Sequence, residues 1–305
     1  MNQKIFFLSG LPRSGSTLIA NVLAQNPAIY TTPTSACHDG MLTIRNNWYP
    51  QPRKLVDPQP EKMHRVLGSL MEGWDKWEEN KADKNISDPK NLARIISKMA
   101  AEFPTDDLAA VYRAFLFNYH NTDRPIVVNK GRGWLPMLEM VEYATGEKAK
   151  VIVPVRDIPQ ILSSFEKLHR KHAHERPDRG DFFKAQTVQG RCLNLLGDND
   201  IIGIAYNRLK DALQRGLEDR LLLVEFSDLT YNPQGTMERI YDFLEVEPFE
   251  HDFENVEQVT EENDFIHGAD YHKIRPKIKP VKDDSVKILG KQLVKDYTGT
   301  EFWRQ

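Results

Sequence analysis

Four short apolar runs punctuate the chain: Ile5-Phe6-Phe7-Leu8, Ile126-Val127-Val128, Val151-Ile152-Val153-Pro154-Val155 and Leu221-Leu222-Leu223-Val224. Each is continuous rather than alternating, the pattern of a strand buried on both faces. Each gives way within a few residues to apolar positions at helical spacing; after the first run, Leu18, Ile19, Val22 and Leu23 fall on one stripe. Buried strands alternating with helices predict an α/β fold in which helices flank a central parallel sheet, and such sheets bind ligands at the C-terminal ends of their strands.

Residues 50–121 separate the first two runs and read as a helical insertion. Pro50, Pro52, Pro58 and Pro60 punctuate its entry, and Met63, Val66, Leu67, Leu70, Met71, Trp74 and Trp77 then form an i, i+3, i+4, i+7 stripe. The stripe predicts a helix packed on the core, with a helical cap over a ligand site as the alternative. Residues 247–283 pass from acidic to basic with weak periodicity and predict a long surface segment, of the kind that often carries function. A last helix is predicted over residues 284–297. The 305 residues are read as one domain.

Composition narrows the function. The chain is 40% hydrophobic and 28% charged, with a formal net charge of −3. A general nucleic-acid binder is disfavoured, because such proteins carry a net basic field against phosphates; any anion site must be local. Two cysteines, Cys37 and Cys192, are too few for a disulfide framework and lack the spacing of a zinc site. The first apolar run reaches Ser9-Gly10 too soon for a signal-peptide core or a membrane span, so the expected location is cytoplasmic.

Between the first strand and its helix lies Gly10-Leu11-Pro12-Arg13-Ser14-Gly15-Ser16-Thr17, the position of a phosphate-binding loop. Helix-start N–H groups offer a positive nest, and Ser14, Ser16 and Thr17 add hydroxyls. Ser16 stands where the lysine that reaches a β/γ-phosphate would be, while Arg13 brings a guanidinium from inside the loop. The pattern predicts a P-loop NTPase-like fold whose loop holds an anion other than a triphosphate.

The segment Pro12-Arg13-Ser14-Gly15-Ser16-Thr17-Leu18 resembles the 5′-phosphosulfate loop of the sulfotransferases that use 3′-phosphoadenosine 5′-phosphosulfate (PAPS). Arg156, at the end of the Val151–Val155 run, and Ser164, eight residues on, resemble the family's 3′-phosphate element. Two helical turns place Ser164 on the face of the helix entry, where it and Arg156 can converge on one phosphate. Alone, that segment also reads as Asp157 capping a helix with Arg156 ion-paired. Residues 221–244 resemble the family's late strand and following helix. The likeness covers residues 4–45 and 125–245; the insertion and tail match poorly.

The resemblance implies transfer of the sulfuryl group of PAPS to an acceptor hydroxyl or amine, releasing PAP, without need of a metal. The acceptor stays open among carbohydrate, peptide, lipid and small molecule. The resemblance places Arg13 through Leu18, Arg156 and Ser164 on the nucleotide, and Tyr206, by spacing, near the adenine. Lys130, with Arg132 as a second cation, takes the place of a family lysine beside the sulfuryl group. Arg275, with Lys277 as alternate, stands where a loop closes over the 3′-phosphate, although the usual Arg-Lys-Gly wording is absent. The usual base is also absent: no His follows Lys130 in Lys130-Gly131-Arg132-Gly133-Trp134, and no Glu stands after the first helix, leaving His38 or Asp39 as the base. His169, His172 and His174 end a helix and read as a solvated basic tip, with a metal site as the lesser reading. Two rivals remain: an ATP-dependent small-molecule kinase, and a nucleotide-binding homologue without catalysis.

Overall fold

Strand β1 (Lys4–Leu8) lies at the centre of a five-stranded parallel sheet ordered β2-β3-β1-β4-β5. The others are β2 (Ile29–Thr31), β3 (Ile126–Lys130), β4 (Val151–Val155) and β5 (Leu221–Glu225). The computed structural model describes residues 3–48, 68–69, 89–101, 107–173, 185–262, 264 and 271–304. The four apolar runs are all strands; β2 is the addition, a three-residue edge strand in register with β3 through Ile29 and Ile126.

The strands are apolar throughout because both faces are covered. Phe6, Leu8, Val128, Ile152 and Val224 pack on one side with α1 (Ser16–Leu23). Phe7, Val151, Val153 and Val155 pack on the other with α2 (Cys37–Trp48), α3 (Pro89–Ala101), α4 (Leu108–Tyr119), α5 (Leu138–Thr145) and α6 (Ile158–His172). Helices α7 (Val188–Leu196) and α8 (Gly203–Gln214) extend that second layer. After β5, α9 (Phe226–Tyr231) and α10 (Pro233–Leu244) return to the first.

The stripe from Met63 to Trp77 lies outside the described residues. Helices α3 and α4, later in the same insertion, bury Ile95, Met99, Phe115 and Tyr119 in the core, so this part is a structural layer. The last predicted helix is two, α11 (Ser285–Leu289) and α12 (Lys291–Tyr297), broken at Gly290, whose φ of 89° leaves the helical region. The tail before them has no strand or long helix among its described residues. It folds back on itself through Val256 N–H to Pro276 O (2.8 Å) and Ile278 N–H to Phe253 O (2.9 Å), burying Val256 and Ile278. No helix among the described residues is long and apolar enough to cross a membrane.

Candidate active site

Above the C-terminal ends of β1, β3 and β4 the structure holds a cleft of about 480 Å³. Its floor is the loop from β1 to α1. Gly10 passes so close to β4 that a side-chain carbon there would lie 2.3 Å from Pro154 O. The loop is pinned by Leu11 N–H to Pro154 O (3.0 Å) and by Ser14 Oγ–H to the same carbonyl (2.9 Å). Proline is tolerated in this central strand because β1–β4 pairing ends at Leu8 and Ile152, so its missing N–H falls where the loop has replaced the ladder. Arg13 (φ 59°) and Gly15 (φ 99°) take left-handed backbone, turning the chain sharply into α1 at Ser16. Arg13, Gly15, Ser16, Thr17 and Leu18 line the cleft. The Ser14 side chain is buried against Leu11 and Pro154 carbonyls, which leaves main-chain N–H as its means of reaching an anion.

Arg156 and Ser164 line the same cleft. Arg156 lies over the Phe226 ring at 4.2 Å and donates through Nη1 to Arg13 O (3.1 Å). Arg13 Nε in turn donates to Ser164 Oγ (3.1 Å), and its Nη1 to Tyr271 O. The loop arginine thus joins α6 to the tail. Asp157 makes no side-chain cap; it accepts from Gln160 Nε2 (2.9 Å), while Arg156 stays turned to the loop. Burial pulls Arg156 down to about 10, with Arg13 acting in the same direction, so Arg156 remains charged at neutral pH.

Lys130 ends β3. Its backbone is fixed by Lys130 N–H to Thr32 Oγ1 (2.9 Å) and Ser35 N–H to Lys130 O (2.8 Å). Beneath it Asn129 accepts from Trp134 Nε1 (2.9 Å) and donates to Ser35 Oγ (3.1 Å). The Lys130 ammonium donates to Thr17 Oγ1 (3.0 Å) and is ion-paired with Glu262, whose carboxylate also accepts the Thr34 N–H (3.0 Å). Burial lowers the Lys130 pKa against the opposing pull of Glu262. Burial would raise Glu262, but Lys130 and His272 together outweigh it and hold the carboxylate below its usual range. Arg132, also lining the cleft, is lowered by burial with Glu262 opposing.

Arg275 and Lys277 line the cleft from the tail, Lys277 ion-paired with Glu254. Tyr206 is not brought there: its hydroxyl donates to Thr300 O (2.7 Å) and its ring packs on Phe302 and Trp303, fastening the C-terminus to α8. His38 and Asp39 also lie outside the lining. His38 packs edge-on to Trp134 on α2, and burial lowers its pKa. His169 and His172 sit at the end of α6; His174 lies outside the described residues. Among the described residues no three His, Cys, Asp or Glu side chains are grouped to hold a metal ion. Sequence reasoning did not single out Phe226, Glu262, Tyr271 or His272; the last is gripped by Asp264, which accepts from its Nδ1–H (2.6 Å) and backbone N–H (3.0 Å).

The lining is cationic from both sides, with Arg13, Lys130, Arg132, Arg156, Lys167 and Lys171 from the sheet and α6 facing Lys273, Arg275, Lys277 and Lys279 from the tail. Among the described residues no carboxylate joins that lining. In a chain of net charge −3 this concentrates positive potential where anions enter.

Solved structures similar to this chain include the sulfotransferase domain of the Synechococcus PCC 7002 olefin synthase (17% identity, 96% of this chain and 95% of that one, TM-score 0.47). Similar too is the sulfotransferase domain from the curacin biosynthetic pathway (15%, 96% and 98%, TM-score 0.49). A third is a sulfotransferase from Alicyclobacillus acidocaldarius (15%, 87% and 89%, TM-score 0.45). No curated protein sequence matches. The model of the sulfotransferase family matches residues 6–251, most of the chain, and the protein belongs to that family.

Proposed function

We propose that the protein transfers the sulfuryl group of PAPS to an acceptor hydroxyl or amine and releases PAP. The observation that carries the reading is the convergence of Arg13, Arg156 and Ser164 with the start of α1 in one cleft that Lys130 also enters. The 5′-phosphate sits at the turn of residues 13–18, where helix N–H groups point at an anion. The 3′-phosphate sits between Arg156 and Ser164, with Arg275 and Lys277 approaching from the tail. Phe226 lines the cleft beneath Arg156, where the nucleotide would meet an aromatic ring that Tyr206 does not supply.

Sulfuryl transfer needs an in-line acceptor and fixed donors for the charge that develops on the transferred oxygens and the leaving phosphate. Lys130 is buried, ion-paired with Glu262 and hydrogen-bonded to the loop hydroxyl of Thr17, so it lies beside the 5′-phosphate without solvent to reorganise. Thr17 and Ser16 supply hydroxyls to the same anion.

The test is calorimetric titration of wild type and Arg13→Ala with PAP, and with ATP in the presence and absence of Mg²⁺. Metal-independent PAP binding, far weaker ATP binding and a loss of about 10- to 100-fold for Arg13→Ala are expected, the scale of one or two hydrogen bonds to a charged group. Tight ATP·Mg²⁺ binding without PAP binding would replace this reading with a kinase.

A further inference from the structure

We propose that His272, positioned by Asp264, is the general base that removes the acceptor's proton, an inference that rests on the sulfuryl-transfer reading of the same cleft. Four observations carry it. His272 lines the cleft that Lys130 and Tyr271 also line. The aspartate oxygen 2.6 Å from Nδ1 holds a proton on that nitrogen and leaves the lone pair on Nε2. The second Asp264 oxygen accepts the His272 N–H at 3.0 Å, so ring and backbone are held by one carboxylate. The Asp264 charge is felt by both Arg13 and Lys130, which places the pair among the cations of the sulfuryl site.

The other titratable groups nearby suit the role less well. Both Glu262 oxygens accept the Thr34 N–H, one is also paired with Lys130, and the carboxylate stands outside the cleft lining. His38 is packed on α2 against Trp134, also outside the lining. The groups that face His272 are Asp264, Glu262 and, through Asp264, the cations Arg13 and Lys130.

The step balances within the site. The acceptor O–H bond breaks and its proton passes to Nε2; the acceptor oxygen forms a bond to sulfur. The bond from sulfur to the 5′-phosphate oxygen breaks with its electron pair left on the phosphate, giving PAP. The imidazolium, stabilised by Asp264, returns its proton to water.

The full chain, His272→Gln, His272→Ala and Asp264→Asn are first checked for PAP binding and thermal unfolding. PAP release from PAPS is then followed with phenol, with 4-nitrophenol, whose hydroxyl ionises near neutral pH, and with water as acceptor. His272→Gln should lower phenol turnover by about 10²- to 10⁴-fold, with PAP affinity within about twofold of wild type. It should lose far less with 4-nitrophenol, which needs no base. Added imidazole should restore part of His272→Ala turnover, and Asp264→Asn should fall between wild type and His272→Gln. Equal losses on both phenols, absence of imidazole rescue, or PAP affinity falling in step with turnover would overturn the assignment. So would a wild type that binds PAP yet transfers to none of the three acceptors. A wild type that fails to bind PAP removes the donor reading itself, a distinct result that takes this inference with it.

Discussion

The wall of the cleft made by residues 10–18, 130–132 and 156–164 stands on strand ends, whereas the opposite wall, residues 271–281, stands on a tail tied down mainly by side chains. The first wall is fixed by the main chain: Leu11, Gly131 and Ser35 each donate a backbone N–H to a strand or strand-end carbonyl. The second is joined to the first by side chains, Lys130 to Glu262 and Arg13 to Tyr271, with Asp264 on His272, while its own main-chain bonds at Pro276 and Ile278 stay within the tail. The first lies within the family match over residues 6–251, and the second beyond it. A rigid sheet edge suits recognition of a fixed donor with two phosphates. A wall held by a few charged contacts can rearrange as donor and acceptor enter, because those contacts are ones the ligand itself can replace.

Severing the contact between the walls gives the largest expected effect. Lys130→Gln should lower sulfuryl transfer by about 10²- to 10³-fold, the scale of removing one transition-state donor, with PAP affinity changed only a few-fold. The same substitution leaves Glu262 buried without its cation and should destabilise the fold by about 3 kcal/mol, while Lys130→Gln/Glu262→Gln should recover much of that loss. Thermal unfolding of the three proteins decides it; a double variant no more stable than the single would show that the pair does not join the walls.

Next comes acid stability, set by two buried imidazoles, one of them behind the first wall. His120, hydrogen-bonded to Asn129 beneath Lys130, is lowered to about 3 by burial, and His251, bonded to Tyr241, is lowered to about 4 by burial. The unfolded chain protonates these groups from about pH 6.5 downward, while the folded chain does not until about 4 for His251 and 3 for His120. The unfolded state therefore binds more protons across that window, and stability falls as pH falls through it. Denaturant midpoints measured from pH 7 to 4 should decline, and His251→Gln should flatten the decline. A flat wild-type profile would contradict the burial of these neutral imidazoles.

The smallest effects separate binding from anchoring. Ser164→Ala should weaken PAP by a few-fold, about 1 kcal/mol, and leave thermal stability within about 0.5 kcal/mol. Tyr206→Phe should do the converse, removing the bond to Thr300 O and about 1 kcal/mol of stability while leaving PAP affinity unchanged. Loss of PAP affinity in Tyr206→Phe would return that tyrosine to the adenine.

The contrast between the walls also explains what the sequence discloses. The loop from Gly10 to Leu18 is contiguous, and Arg156 and Ser164 share one strand end and helix, so local spacing carries their geometry. Lys130 is legible because it ends an apolar run. Glu262 lies 132 positions from Lys130 in a tail without periodicity, and no local pattern announces the pair. Asp264 and His272 are eight apart across the same tail, where no helical or alternating pattern of apolar residues links the two positions. Tyr206 misleads because an aromatic on a helix carries no sign of which neighbour it faces, and the C-terminal Phe302 and Trp303 claim it. Strand β2 escapes notice because three residues are too few to show a period, whereas the break at Gly290 was present in the sequence as a glycine inside a helical stripe.

The central claim is that two phosphates of one nucleotide are held by two sequence-separated elements of the first wall. The direct measurement compares PAP with adenosine 5′-phosphate, which lacks the 3′-phosphate, on wild type and Arg156→Ala. Wild type should favour PAP by about 10- to 100-fold, and Arg156→Ala should bring the two affinities close together by weakening PAP alone. Equal affinity of wild type for both nucleotides, or equal weakening of both by Arg156→Ala, would contradict the account.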